Sequence, residues 1–204
     1  MEADSIAEGF KRSMELHGLK YNKLIGDGDS SVTKRLSEIM PYGPKFHIKK
    51  IECRNHLLRN YVTKLSLVTK NIKYPYLNLR KHIQSNIMRF RTAIVKSIEY
   101  RSKLINQSDD DKRLGLRKDI LNSVHHILGS HVRCEKYFCN GPKLNEHNFT
   151  DDAEKSKVID EITQLANRLV THADSLLMNV DNNVCEQFNN IINKHLSGKP
   201  MEMF

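Results

Sequence analysis

The chain has no tryptophan, no internal repeat, no low-complexity tract and no long apolar run. Each absence excludes something. No stretch approaches the roughly 20 apolar residues of a membrane helix, so a membrane is not an expected partner. The opening Met1-Glu2-Ala3-Asp4 is acidic and lacks the apolar core of a secretory leader. Cysteine is scarce, at four residues. Without a leader, those four read as thiols or metal ligands in a reducing compartment rather than as disulfides. The charged fraction, 28%, is ordinary, so the chain is not mainly disordered. What is present is a core-forming 39% of hydrophobic residues in 204, enough for one domain or one domain with a large insertion. A formal net charge of +9 favours a polyanionic partner such as nucleic acid.

The first fifty residues alternate between two periodicities. Ile6, Phe10 and Met14 have helical spacing, and Gly18 suits the end of that helix. Tyr21 to Ile25 is too short for a helix and runs as a strand into Gly26-Asp27-Gly28-Asp29. Ser30 and Ser31 can cap a second helix with Val32, Leu36 and Ile39 inward. Pro41, Gly43 and Pro44 break the chain, and Phe46 to Ile51 alternates as a second strand. A helix between two strands implies a parallel crossover, hence an α/β class.

From Cys53 to about Met178 the spacing is helical almost throughout. Ile83, Ile87, Phe90, Ile94 and Ile98 form one stripe, and Val158, Ile162, Leu165 and Leu169 another. A single helix is expected from about Asn78 to Lys103. Gln107 to Asp111 is a polar linker whose acids suit a helix start. Two strands make a marginal sheet alone, so either a partner completes the sheet or the chain is a piece of a larger domain, the second being the preferred reading.

Four groups of residues carry chemistry. In parallel α/β folds functional groups gather at the carboxyl ends of strands, where Asp27 and its alternative Asp29 stand. Glu186, Asn189, Asn190 and Asn193 share one face of a last helix, with Val184, Phe188, Ile191 and His195 on a face expected to pack. His126, His131, Cys134 and Cys139 offer two imidazoles and two thiols at short spacing, the donor set of closed tetrahedral zinc. His125 is a substitute for His126. Cys53 and His56, one helical turn apart, are a weaker pair of zinc ligands. Arg89, Arg91 and Lys96 lie on a basic helical stretch that could track phosphates, with Tyr74, Tyr76 and Tyr100 as candidate stacking groups.

Three segments in this order resemble the Mutator-like transposases, cut-and-paste DNA transposases with an RNase H-like catalytic core. They are Leu24-Ile25-Gly26-Asp27-Gly28-Asp29-Ser30-Ser31, Ile51-Glu52-Cys53-Arg54-Asn55-His56-Leu57 and Asn182-Asn183-Val184-Cys185-Glu186-Gln187-Phe188-Asn189. The Cys/His segment resembles a knuckle found in a subgroup of eukaryotic members. The resemblance implies a partial RNase H-like core at 1–52, lacking its first three strands. It implies an all-helical insertion at 53–178 with the knuckle at 126–139, and a final core helix at 179–204. Asp27 (or Asp29) and Glu186 would be the second and third carboxylates of an Asp-Asp-Glu set holding Mg²⁺, and Zn²⁺ would brace the knuckle. The parent activity would be metal-dependent DNA strand cleavage and transfer, in the nucleus. With the first Asp absent, the chain alone is expected to be inactive. DNA is the expected partner, and a homo-oligomer stays open. Two other readings are a domesticated DNA-binding module without catalysis and a zinc-stabilised helical interaction protein.

Overall fold

A computed structural model describes residues 2–28 and 30–196. The chain divides into two compact units, one of residues 1–55 with 180–204, the other of residues 56–179.

The first unit opens with α1 (Glu2–His17), followed by β1 (Lys23–Gly26), α2 (Ser31–Ile39) and β2 (Lys49–Glu52). The helix-strand-helix-strand order is the one the periodicity predicts. Both strands are shorter than predicted, β1 beginning at Lys23 and β2 at Lys49, whose N bonds Asn22 O at 2.9 Å. β1 and β2 pair in parallel, with Leu24 opposite Lys50, Ile25 opposite Ile51 and Gly26 opposite Glu52. The α1 terminus is set by Gly18 at φ 64, where Gly18 N bonds Met14 O at 3.0 Å. A left-handed residue there frees the chain to turn back without a Cβ penalty. Ala7 and Phe10 of α1 and Val32 and Leu36 of α2 make the small buried cluster, edged by Tyr21, Leu24 and Tyr42. Tyr42 ties the loop after α2 to α1: its hydroxyl sits 2.6 Å from Ser13 Oγ and accepts from Tyr21 N at 3.0 Å. Ser30 stands before α2 but its side chain caps nothing, because its backbone is already right-handed helical.

α3 (Arg54–Lys70) starts in the first unit and continues into the second, which holds α4 (Leu77–Ser85), α5 (Ile87–Ser102), α6 (Asp109–Ile127), α7 (Thr150–Lys155), α8 (Val158–Val170) and α9 (Ala173–Leu177). The single helix expected from Asn78 to Lys103 is two, parted at Asn86. The Asn86 side chain donates to His82 O at 2.8 Å, a local bond that competes with helix continuation. Ser108 caps α6 by accepting from Asp111 N at 3.1 Å, and Asp109, Asp110 and Asp111 fill the first turn. α6 is central: it packs against α5, α8 and α9. Leu79, Ile83, Phe90, Ile94, Ile98, Leu116, Ile120, Leu128 and Ile162 are fully buried between these helices. Burial of each such side chain contributes about 1.5–3 kcal/mol, so this stripe-on-stripe packing is the main source of the unit's stability.

The last helix, α10 (Asn183–Leu196), belongs to the first unit. Its apolar face does not pack as the sequence suggested. Val184 is 79% exposed, Phe188 61% and Ile191 47%.

Candidate functional site

Two places gather chemistry-bearing side chains. The first is the carboxyl end of the strand pair. β1 ends at Gly26, and Cys53 N bonds Gly26 O at 2.7 Å, which extends the pairing one residue past β2. Asp27 follows directly and is exposed. Gly28 then takes φ 101, a conformation that a Cβ would strain, so the turn depends on that glycine. Asp29 lies outside the described residues.

The start of α10 is tied to the residues just after β2. Arg54 N bonds Val180 O at 3.1 Å. The Cys53 thiol donates to Asn182 Oδ1 at 2.9 Å, Arg54 pairs with Asp181 at 3.1 Å, and Asn55 Nδ2 donates to Asn183 Oδ1 at 2.9 Å. Asp181 also accepts from Asn183 N at 3.2 Å, an Asx turn that leads into the helix. Glu186, half-buried, is in the first turn. So the Asn182-Asn183-x2-Glu186 segment and the Cys53-Arg54-Asn55 segment, far apart in sequence, interlock residue by residue. The Cys53 thiol is thereby used as a hydrogen-bond donor. Among the described residues, Cys53 and His56 belong to no cluster of three or more His, Cys, Asp or Glu side chains that could hold a metal.

The second place is built on the end of α6. His126 stands in the last turn, and Gly129 at φ 98 ends the helix. A Cβ on Gly129 would come within 2.6 Å of His147 O, so this position has room only for hydrogen. The sharp turn brings His131 back beside His126, with their Nδ1 atoms 3.1 Å apart. A tight turn, closed by Cys134 N bonding His131 O and Cys139 N bonding Glu135 O, delivers the two thiols. Cys139 Sγ lies 3.2 Å from His131 Nδ1, and Cys134 Sγ lies 3.4 Å from His126 Nδ1 and 4.0 Å from His131 Nδ1. All four donor atoms fall within 4.8 Å of one another. A tetrahedral zinc needs donor–donor edges of about 3.3 Å for N–N, 3.6 Å for N–S and 3.8 Å for S–S, from its usual bond lengths. The four spacings given, 3.1 to 4.0 Å, lie near those edges, so the cluster can hold a metal ion such as zinc. His125, the substitute for His126, is not in it.

Groups around the cluster orient it, and the sequence did not reveal them. Glu146 accepts from His131 Nε2 at 3.1 Å and from Lys143 N at 2.9 Å. Donation from Nε2 leaves Nδ1 its lone pair for a metal. The Lys143 backbone N–H holds the Glu146 carboxyl below its ordinary range. Asn122 Nδ2 points at Cys134 Sγ at 3.5 Å and Gly141 N at Cys139 Sγ at 3.2 Å. Burial and the neighbouring His131 push His126 down to about 4, so its imidazole is neutral and free to coordinate near neutral pH. Burial pushes the Cys134 thiol up, which a bound cation would reverse. Between the two cysteines, Tyr137 stacks on Tyr100 with centroids 3.6 Å apart and donates to Asp119 at 2.6 Å. Asp119 is also gripped by Arg101 at 2.6 and 3.1 Å. This buried Arg101–Asp119–Tyr137 network fastens the knuckle to α5 and α6. A Cβ on Gly115 would meet the Arg101 guanidinium at 2.7 Å, so the network also needs that glycine.

Arg89 and Lys96 line a groove beside the cluster, together with Lys143. Arg91 is half-buried and is not among the groove's lining residues.

A family model described as Mutator-like transposase matches residues 1–139, more than half of the chain. The chain belongs to the Mutator-like transposase family. The matched span holds Asp27, the Cys53–His56 segment and all four cluster residues, and Glu186 lies beyond it. No curated protein and no solved structure matches the chain. Membership in a transposase family implies interaction with DNA, and no helix among the described residues is long and apolar enough to cross a membrane.

Proposed function

We propose that the chain carries part of the catalytic core of a Mutator-like DNA transposase, with Asp27 and Glu186 as two carboxylates of a metal-dependent strand-transfer site in an RNase H-like arrangement. The observation that supports this reading is the interlock of Cys53, Arg54 and Asn55 with Asp181, Asn182 and Asn183. It tethers the first turn of α10 to the end of β2, which pairs with the end of β1 immediately before Asp27. One hard carboxylate directly after β1 and one in the first turn of α10 would suit Mg²⁺. Bound Mg²⁺ would activate the attacking oxygen and stabilise the leaving one, first with water and then with a DNA 3′-hydroxyl as nucleophile. The work of this chain is to hold the two carboxylates at one end of the sheet. Asp29 is the alternative to Asp27. In unit 56–179, zinc on His126, His131, Cys134 and Cys139 braces the hairpin, and Arg89, Arg91 and Lys96 hold DNA phosphates. Nuclear localisation follows from a genomic DNA substrate.

An Asp-Asp-Glu site needs a third carboxylate, which this reading assigns to no residue here. The 204-residue chain is therefore expected not to cleave transposon-end DNA with Mg²⁺ or Mn²⁺. Joined to an upstream segment bearing a strand-borne Asp, it should cleave, and Glu186→Gln should abolish the activity because an amide lacks the ligand charge. Cleavage by the chain alone, lost in Glu186→Gln, would show that the first acidic residue lies within it. Salt-sensitive DNA binding that persists with no cleavage in the joined protein would favour a domesticated binding module.

A further inference from the structure

The groove beside the Cys/His cluster has features that backbone tracking of a duplex does not require. It encloses about 580 Å³, within the range of about 300–1,000 Å³ typical of sites that enclose a small ligand. Arg89 and Lys96 come from one face of α5, seven residues apart, with Thr92 between them. Lys143 enters from the loop after the knuckle, which also lines the groove with Gly141 and Pro142. Three cations therefore meet one acid, Glu146, which is already engaged by His131 and the Lys143 backbone. A divalent ion held by two thiolates adds no net charge, so the groove stays positive when the cluster is loaded. Phe138 also lines the groove, half-buried, its ring 4.8 Å from His126 in an edge-on contact. A paired duplex hides the faces of its bases, so an aromatic side chain recessed among cations has nothing to stack on there. An unpaired base offers that face.

We propose that this groove holds an unpaired nucleotide of a DNA strand, its phosphates on Arg89, Lys96 and Lys143 and its base against Phe138. The inference rests on the DNA reading above for the identity of the polyanion, and on the metal reading only for the shape of one wall. It gives the knuckle a recognition role: closing the 126–139 hairpin is what positions Phe138 beside α5.

The test uses the zinc-replete full chain and a fluorescent oligothymidylate of about twelve nucleotides, compared with the same strand paired to its complement. Single-strand binding at least about tenfold tighter than duplex binding is expected. Lys96→Gln with Lys143→Gln should lower the single-strand salt slope by about 1.4, from about 0.7 per neutralised phosphate. The chain has no Trp, so Phe138→Trp places one reporter indole in the groove. Its fluorescence should quench with oligothymidylate and not with duplex. Phe138→Leu should weaken single-strand binding about tenfold and Phe138→Tyr should restore it. Zinc content is measured on every variant, and if Phe138→Leu loses its metal the quench in the zinc-replete Phe138→Trp chain decides. Equal affinity for both forms with no quench overturns the proposal, and leaves the DNA reading standing if duplex binding is salt-steep. No binding of either form at low salt overturns both. A quench in a chain that takes up no zinc overturns the metal reading alone. An oligouridylate bound tenfold tighter than oligothymidylate overturns the assignment to DNA.

Discussion

The two units place their chemistry on opposite kinds of support. The helical unit, residues 56–179, stacks long apolar stripes into one continuous core, and its Cys/His cluster is fastened to that core by Tyr137, Asp119 and Arg101. Among the described residues, the strand-bearing unit buries little more than Ala7, Phe10, Val32, Leu36, Ile51 and Cys53, and its last helix shows its apolar face to solvent. Yet the carboxylates proposed for catalysis sit on this lightly cored unit. A local free energy of opening follows buried apolar area, so the strand ends and α10 should be the first parts to open and the α5–α6 packing the last.

The largest effect should come from the buried network of the helical unit. Asp119→Ala leaves the Arg101 guanidinium, 11% exposed, with only the longer contact to Glu135 at 3.9 Å, and should cost about 3–5 kcal/mol in urea unfolding. Leu116→Ala, at a fully buried position, should cost about 2–5 kcal/mol, and Leu36→Ala should fall at the low end because its cluster is small and can collapse. Equal losses at Leu36 and Leu116 would break the contrast between the units.

Metal removal is next. A chelator should lower the stability of a zinc-loaded chain by about 2.7 kcal/mol when free zinc had stood near a hundredfold above its Kd. Cys134→Ser should be destabilised beforehand and insensitive to the chelator, with hydrogen exchange confining the change to residues 56–179. Equal zinc content in wild type and Cys134→Ser would remove the cluster as the site.

A smaller effect is expected at the tether of α10. Arg54→Ala removes a partly buried ion pair with Asp181 and should speed exchange of α10 amides by about tenfold, while α6 amides stay unchanged. The same change in α6 would mean that the units do not open separately.

The pH response sharpens the comparison further. In the metal-free chain, burial holds His126 down at about 4, against about 6.5 for the unfolded imidazole. The unfolded state then binds the extra proton first, so stability is full above about pH 6.5 and declines as the pH falls toward 4. Burial lowers His125 as well, in the same direction. Urea midpoints of the chelated chain at pH 7 and pH 5 check this, and His126→Gln should flatten the difference. The smallest effect is expected for Phe188→Ser on α10, within about 0.5 kcal/mol, because a side chain 61% exposed has little burial to lose.

Much of this was legible in the sequence, for a common reason. Helical spacing at Ile83, Phe90 and Ile94, the glycine at Gly129 and the donor set His126, His131, Cys134 and Cys139 are local patterns, and local patterns survive folding. The strand–turn–helix order around Asp27 was legible in the same way, from a short apolar run and its punctuating glycines. The break at Asn86, the exposed apolar face of α10 and the idle Ser30 cap were misread. At Asn86 a side-chain bond to His82 O competes with the helix, at Ser30 the backbone is already helical, and on α10 the apolar face stays exposed.

The sequence by itself determined the helix-strand-helix-strand order of the first fifty residues, and which four side chains could close on one metal, because both depend on spacings of a few residues. Tertiary structure alone decided the partners at long range. It set Cys53 on Asn182, it buried Asp119 between Arg101 and Tyr137, and it brought Glu146 to His131. These pairings join residues with no periodic relation in the chain. They exist because packed helices leave a buried polar group no water to bond, and whichever partner the fold brings within reach takes its place.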